Sequence, residues 1–250
     1  MSKPSIAELR AATQPPSIFA RDSGEHWAGR LYIRRGSVYL TRVFLRTRIT
    51  PNGVTWLMMA SGVAAAGVLC LPGLLPAVAA FLLIQLQILL DCSDGELARW
   101  RDVRSTAGIY LDRIAHWVTE SALPIALGVR AEEPLLGLVV AVLVLLIKGE
   151  SALVTVARAD AGLPPAADTK AVAAPRGGLL RSARRAVGRL PFYRAFVAME
   201  FTLLALAAAI VDTATDSLDG SRFLVIALIG VAALTLVGHL VAILASDRLR

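Results

Sequence analysis

The chain has 250 residues, 56% of them hydrophobic, and a mean hydropathy of +0.63, a balance that excludes an ordinary water-soluble domain. Its 26 Lys and Arg against 19 Asp and Glu give a net charge of +7. The basic residues lie mostly between apolar runs, which is the pattern of a membrane protein and not of a nucleic-acid binder, so no nucleic-acid partner is expected.

The first fifty residues are Arg-rich, contain Pro4, Pro15 and Pro16, and lack an uninterrupted apolar core, so no cleavable signal peptide is expected. Residues 1–53 read as a cytoplasmic N-terminal segment. Within it, about 27–48 interleaves Leu31, Val38, Leu40, Val43, Phe44 and Leu45 with arginines, the composition of an amphipathic helix lying on the cytoplasmic leaflet. Residues 54–250 read as the transmembrane domain. A crossing needs about 20 mostly apolar residues, and the stretches 54–71, 74–90, 135–156, 195–211 and 223–244 qualify. Pro72 and Gly73 make the first two a tight hairpin.

A further stretch, 105–129, is long enough to cross but carries Asp112, Arg113, His116 and Glu120. If it crosses, the Arg-rich segments at 30–48, 99–104, 176–189 and 248–250 share one side, and the positive-inside rule is met at every loop. The fold class expected is therefore all-α: a polytopic integral membrane protein with about six transmembrane helices and an N-terminal interfacial helix. The cytoplasmic loop falls at about 158–194, and its Pro-, Ala-, Gly- and Arg-rich part, 162–188, is expected to be a mobile connector drawn to anionic lipid. Ionisable groups inside a span are costly, so those in 105–129 mark a candidate functional site. Cys70 and Cys92 lack disulfide or metal-ligand spacing and read as reduced.

The chemistry concentrates in LLDCSDGELARWRDVRSTAGIYLDRIAHWVTE. At about 100° per residue, Asp91, Asp94, Gly95, Ala98 and Arg99 fall within an arc of about 140° on one helix. On the next helix Gly108, Asp112, His116 and Glu120 recur every four residues and share a face. Three carboxylates from two helices offer hard oxygen ligands for Mg²⁺, Mn²⁺ or Ca²⁺; the alternative is a set of helix-end carboxylates paired with nearby Arg. Gly95, Ala98 and Gly108 remove bulk, and Arg99 adds a fork that suits phosphate. Together they describe a site for a phosphorylated, nucleotide-bearing substrate.

The spacing D-x2-D-G-x2-A-R-x8-G-x3-D resembles the signature of the CDP-alcohol phosphotransferase (CDP-alcohol phosphatidyltransferase) family, matched by Asp91, Asp94, Gly95, Ala98, Arg99, Gly108 and Asp112. Thr50, Pro51 and Asn52 before the first span are similar to that family's TPN start. The departure is His116, where the family has a fourth Asp.

The resemblance implies an enzyme in which an acceptor hydroxyl attacks a CDP-linked alcohol and CMP leaves. The donor it most often implies is CDP-diacylglycerol, in phospholipid biosynthesis; transfer of a CDP-activated polyol phosphate to a non-lipid acceptor, hydrolysis, and a catalytically impaired CDP-alcohol-binding homologue are the alternatives. By the same resemblance Asp91, Asp94 and Asp112 hold divalent metal ions, Mg²⁺ or Mn²⁺, with His116 as a fourth ligand or the base for the acceptor. Imidazole suits Mn²⁺ better than Mg²⁺, and it takes a proton near neutral pH. Glu120 is either a replacement carboxylate or a partner for a neighbouring helix. Asn52, Gly95, Ala98, Arg99 and Gly108 bind the nucleotide. Lys148, Arg158 and Arg194 are candidates for the polar acceptor, or else anchors on the basic side. A homodimer in the cytoplasmic (inner) membrane, its site facing the cytoplasm, completes what is implied. His239 and Glu200 read as packing hydrogen bonds.

Overall fold

The computed structural model describes residues 4–16, 27–164 and 192–249. Among them every regular element is helical. The segment 165–191, most of the connector expected at 162–188, lies outside the described residues with its arginines. The described chain divides into two units, residues 1–68 with 78–119 and residues 69–77 with 120–250.

The first unit begins with helix α1, Ile6–Thr13, opened by a reciprocal cap: Ser5 Oγ accepts from Glu8 N at 3.1 Å, and Glu8 Oε2 accepts from Ser5 N at 2.7 Å. That backbone bond holds the Glu8 carboxyl below its ordinary range. The amphipathic segment follows as one wide π-helical turn, Gly29–Ile33, running into α2, Arg34–Phe44. The turn sets which face is buried. Inward go Ile33, Ser37, Val38 and Thr41, while Leu31, Tyr39 and Val43 are more than half exposed between the arginines. The covered face is thus partly polar because it meets a buried carboxylate, Glu96.

Most of three long helices completes this unit. Helix α3, Pro51–Leu69, starts with Pro in its first turn, where a missing N–H costs nothing, and Thr50 Oγ1 accepts from Gly53 N at 3.1 Å. Gly73, at φ +96°, turns the chain into α4, Leu74–Arg101. Its 28 residues reach about 42 Å at 1.5 Å per residue, longer than a hydrocarbon core of about 30 Å, so one end extends beyond the apolar layer. Helix α4 closes in a Schellman motif with Asp102 in the left-handed region (φ 52°), Val103 N bonding Ala98 O and Asp102 N bonding Arg99 O. After residues 102–105, Ser105 Oγ caps Gly108 N at 3.0 Å and starts α5, Thr106–Arg130. Val54, Met58, Leu90, Leu97 and Ala115 form the apolar core that brings α3, α4 and α5 together, flanked by Leu40 and Phe44 of α2.

In the second unit, α6 (Pro134–Asp160) and α7 (Ala198–Thr215) both pack on α8 (Asp219–Leu244), and a short 3₁₀ turn, Phe192–Phe196, leads into α7. Helices α3, α4, α6, α7 and α8 are long and apolar enough to cross a membrane. Helix α5 matches them in length, but its ionisable residues keep it out of that group.

Two charged residues near helix ends are buried. Arg130, 2% exposed, donates from Nε to Ser221 Oγ at 3.2 Å and from Nη1 to Leu71 O at 2.8 Å. Asp212 sits 3.8 Å from its Nη2 and accepts from both the hydroxyl and the backbone N–H of Ser221. A charge next to a hydropathy boundary looks exposed in sequence, whereas here a long-range partner makes burial tolerable.

Candidate functional site

The i, i+4 faces of α4 and α5 meet as the spacing requires. His116 Nε2 lies 3.2 Å from Asp91 Oδ1 and 3.7 Å from the Asp112 carboxylate. One ligand atom from each of the three falls within 4.8 Å of the others. All three side chains are about one-third to two-fifths exposed, at 32%, 43% and 36% for Asp91, Asp112 and His116, so a ligand can reach them. Two hard carboxylate oxygens and one imidazole fit a divalent cation, and the nitrogen favours Mn²⁺ over Mg²⁺.

Asp94 stands apart from that trio. Its Oδ2 accepts the Thr55 hydroxyl at 2.7 Å, and Thr55, on α3, is 3% exposed. The sequence reading missed Thr55, although it follows the Thr-Pro-Asn start by only a few residues. Asn52 and Gly108 are brought together: a Cβ on Gly108 would lie 3.0 Å from Asn52 Oδ1. Arg99 folds back along its helix so that Nη1 and Nη2 lie 3.1 and 3.5 Å from the place a Gly95 Cβ would occupy. Its Nε donates to Thr13 O at 2.6 Å. Ala98 stays on the same face and gives its carbonyl to the helix-closing bond with Val103.

Glu96, in the variable part of the motif, is fully buried and was not singled out from sequence. Its Oε1 accepts from Ser37 Oγ at 2.5 Å and Gln14 Nε2 at 2.8 Å, and its Oε2 from Thr41 Oγ1 at 2.7 Å. Arg34 Nη1 is 3.6 Å away. A buried carboxylate is tolerable only with such a set of donors.

The acceptor candidates belong to the second unit. Lys148 is ion-paired with Glu120, which is therefore the partner of a neighbouring helix. Arg158 is 7% exposed and donates to Pro164 O at 2.7 Å and Arg248 O at 3.1 Å, tying down the end of α6. Arg194 lies half-buried in the 3₁₀ turn before α7. His239 Nδ1 lies 3.0 Å from Glu150 Oε2, the packing hydrogen bond expected of it.

The helices and their composition make this a polytopic membrane protein. The family model for CDP-alcohol phosphatidyltransferase matches residues 48–178, just over half of the chain, from the residues before α3 through the motif helices and beyond α6. The chain belongs to that family and is a transferase, and membership implies a CDP-alcohol donor of a phosphatidyl or other substituted phosphate group and an alcohol acceptor. No curated protein matches it.

Proposed function

We propose that the protein transfers a phosphatidyl group from CDP-diacylglycerol to the hydroxyl of a polar acceptor, releasing CMP, as a step of phospholipid biosynthesis. The observation that carries this reading is the convergence of Asp91, Asp112 and His116 within 4.8 Å at facing positions of two adjacent helices. Donor chains remain in lipid while the head enters a site bordered by half-exposed carboxylates. Placing 105–129 as a sixth crossing puts that site on the basic, cytoplasmic side of an inner membrane. Exposed Leu31 in the π-helical turn, with Tyr39 and Val43 among the arginines of α2, supports this segment's lying on the same leaflet.

In this reading Asp91, Asp94 and Asp112 hold the divalent cations. A bound cation supplies charge neutralisation for the pyrophosphate and for the departing CMP. His116 is here the base and not a cation ligand: its Nε2 accepts the proton of the acceptor hydroxyl, and Asp91 Oδ1, 3.2 Å away, stabilises the charged ring. The hydroxyl oxygen forms a bond to the phosphorus distal to cytidine, and the bond from that phosphorus to the bridging oxygen breaks, its electron pair leaving with CMP. Asn52, Gly95, Ala98 and Gly108 give the nucleotide room, and Arg99 steadies its phosphates. Lys148 and Arg194 are the basic residues proposed for the acceptor, while the carbonyl contacts of Arg158 support a structural part for it. The active form is a homodimer.

The test is CMP release by purified protein from CDP-diacylglycerol with Mn²⁺ or Mg²⁺, across a panel of polyols and polyol phosphates, against Asp91→Asn. Release that needs metal, Asp91 and one acceptor supports the reading. Release without an acceptor means hydrolysis, and release only from another CDP-alcohol moves the donor assignment.

A further inference from the structure

Thr13 ends α1, and its carbonyl is among those with no partner inside the helix. The guanidinium of Arg99, 86 residues further along, meets it at 2.6 Å, and a cation at this end also complements the helix dipole. Asp91 and Asp94 share helix α4 with Arg99, but among the described residues its hydrogen bond goes to Thr13. The pin at Nε leaves Nη1 and Nη2 stacked over Gly95. They are donors facing the turn that carries Asp94.

The same short helix is fastened independently. Leu9 and Thr13 are fully buried, and Gln14 Nε2 bonds both Glu96 Oε1 and Arg34 O at 2.8 Å. Glu96 also takes Ser37 and Thr41 of α2, so one buried carboxylate joins α1, α2 and the motif helix α4. These contacts involve residues that the motif does not specify.

We propose that α1 is part of the donor site: its Thr13 carbonyl orients Arg99 toward the phosphates of the nucleotide, and Glu96 and Gln14 are the positioning residues that hold α1 there. This rests on the reading of Arg99 as a nucleotide contact. A guanidinium fixed at Nε presents its two terminal nitrogens in a plane suited to bidentate phosphate recognition, and it loses less freedom on binding.

The experiment measures equilibrium binding of CDP, with Mn²⁺ present, to the full chain reconstituted in lipid, alongside CMP release. Leu9→Asp removes α1 from its seat without altering the motif, Leu9→Met keeps it seated, and Gln14→Ala cuts one tie to Glu96. Expected are about tenfold weaker CDP binding for Leu9→Asp, about threefold for Gln14→Ala and none for Leu9→Met, with the acceptor KM unchanged. Arg99→Lys combined with Leu9→Asp should weaken binding no more than Arg99→Lys alone, because the two act as one unit. A chain unfolded by Leu9→Asp would also lose its acceptor KM and its thermal transition; Gln14→Ala then decides. Unchanged CDP affinity in folded Leu9→Asp and Gln14→Ala, or fully additive effects with Arg99→Lys, overturns the proposal. If wild type binds CDP with this dependence yet releases no CMP from any CDP-alcohol, the transfer reading falls and the role of α1 stands. If wild type binds no CDP, both fall.

Discussion

Thr119 lies directly over Gly62: a Cβ added to Gly62 would sit 2.1 Å from Thr119 Oγ1 and 2.7 Å from its Cγ2. The missing side chain lets α3 and α5 approach one turn behind His116. Gly62→Ala must push α5 away, at about 1–3 kcal/mol by the usual cost of overpacking. The expected result is a lower thermal unfolding temperature and a fall in CMP release, both partly restored by adding Thr119→Ala. A Gly62→Ala protein with wild-type stability and turnover would show that the two helices can part there without disturbing the site.

Thr55→Val keeps the shape of the side chain but removes the hydroxyl that Asp94 accepts. Losing a hydrogen bond to a charged group costs about 1.5–3 kcal/mol. The expected signature is a higher cation concentration for half-maximal CMP release, with the acceptor KM unchanged. A metal titration on wild type and variant decides it.

His116→Asp exchanges the imidazole for the carboxylate that the family motif has at this position. The new carboxylate adds a third hard oxygen beside Asp91 and Asp112 and shifts preference toward Mg²⁺. The ratio of turnover with Mn²⁺ to turnover with Mg²⁺ should therefore fall, whereas His116→Ala should lose about 10²–10⁴ of the rate with either metal. A sharp rise with both metals in His116→Asp would instead mark the native histidine as a defect.

Asp212→Ala leaves Arg130 buried with its carboxylate partner gone. Breaking a buried pair in this way costs about 3–5 kcal/mol. Thermal unfolding should shift down sharply; at a temperature where the variant is folded, the KM for donor should be that of wild type, because the Arg130 cluster belongs to the second unit and the motif to the first.

Lys148→Met and Glu120→Gln probe a pair on the membrane-length helix α6 and on α5. If the pair is structural, each single change destabilises and the double change recovers much of the loss. A role for Lys148 at the acceptor adds a rise in acceptor KM that the double change does not reverse. Stability and KM measured on the same three variants separate the two.

The two candidate faces were legible because helical spacing converts sequence separation directly into geometry: Asp91 and Asp94 on one helix, Asp112 and His116 on the next. The apolar runs likewise located five helices and the Pro72-Gly73 turn. Helix α1 carries a local signal, the Ser5 to Glu8 capping spacing, but no apolar run. Glu96 left none. Its partners Gln14, Ser37 and Thr41 lie 82, 59 and 55 residues away, and nothing in the pattern around a charged residue says that three distant donors surround it. The pairing of Arg130 with Asp212, 82 residues apart, left no local sign for the same reason. Thr55 was hidden by its ordinary position inside an apolar helix.

The turn at residues 102–105 joins the two halves of the motif, so the candidate metal ligands all fall between positions 91 and 116. Short loops close at small entropic cost and form early. During synthesis the carboxylates and the imidazole can therefore meet as soon as α5 has left the ribosome, before α6, α7 and α8 exist. A nascent chain stopped after α5 already contains every residue of that cluster, so its geometry needs nothing from the helices still to be made.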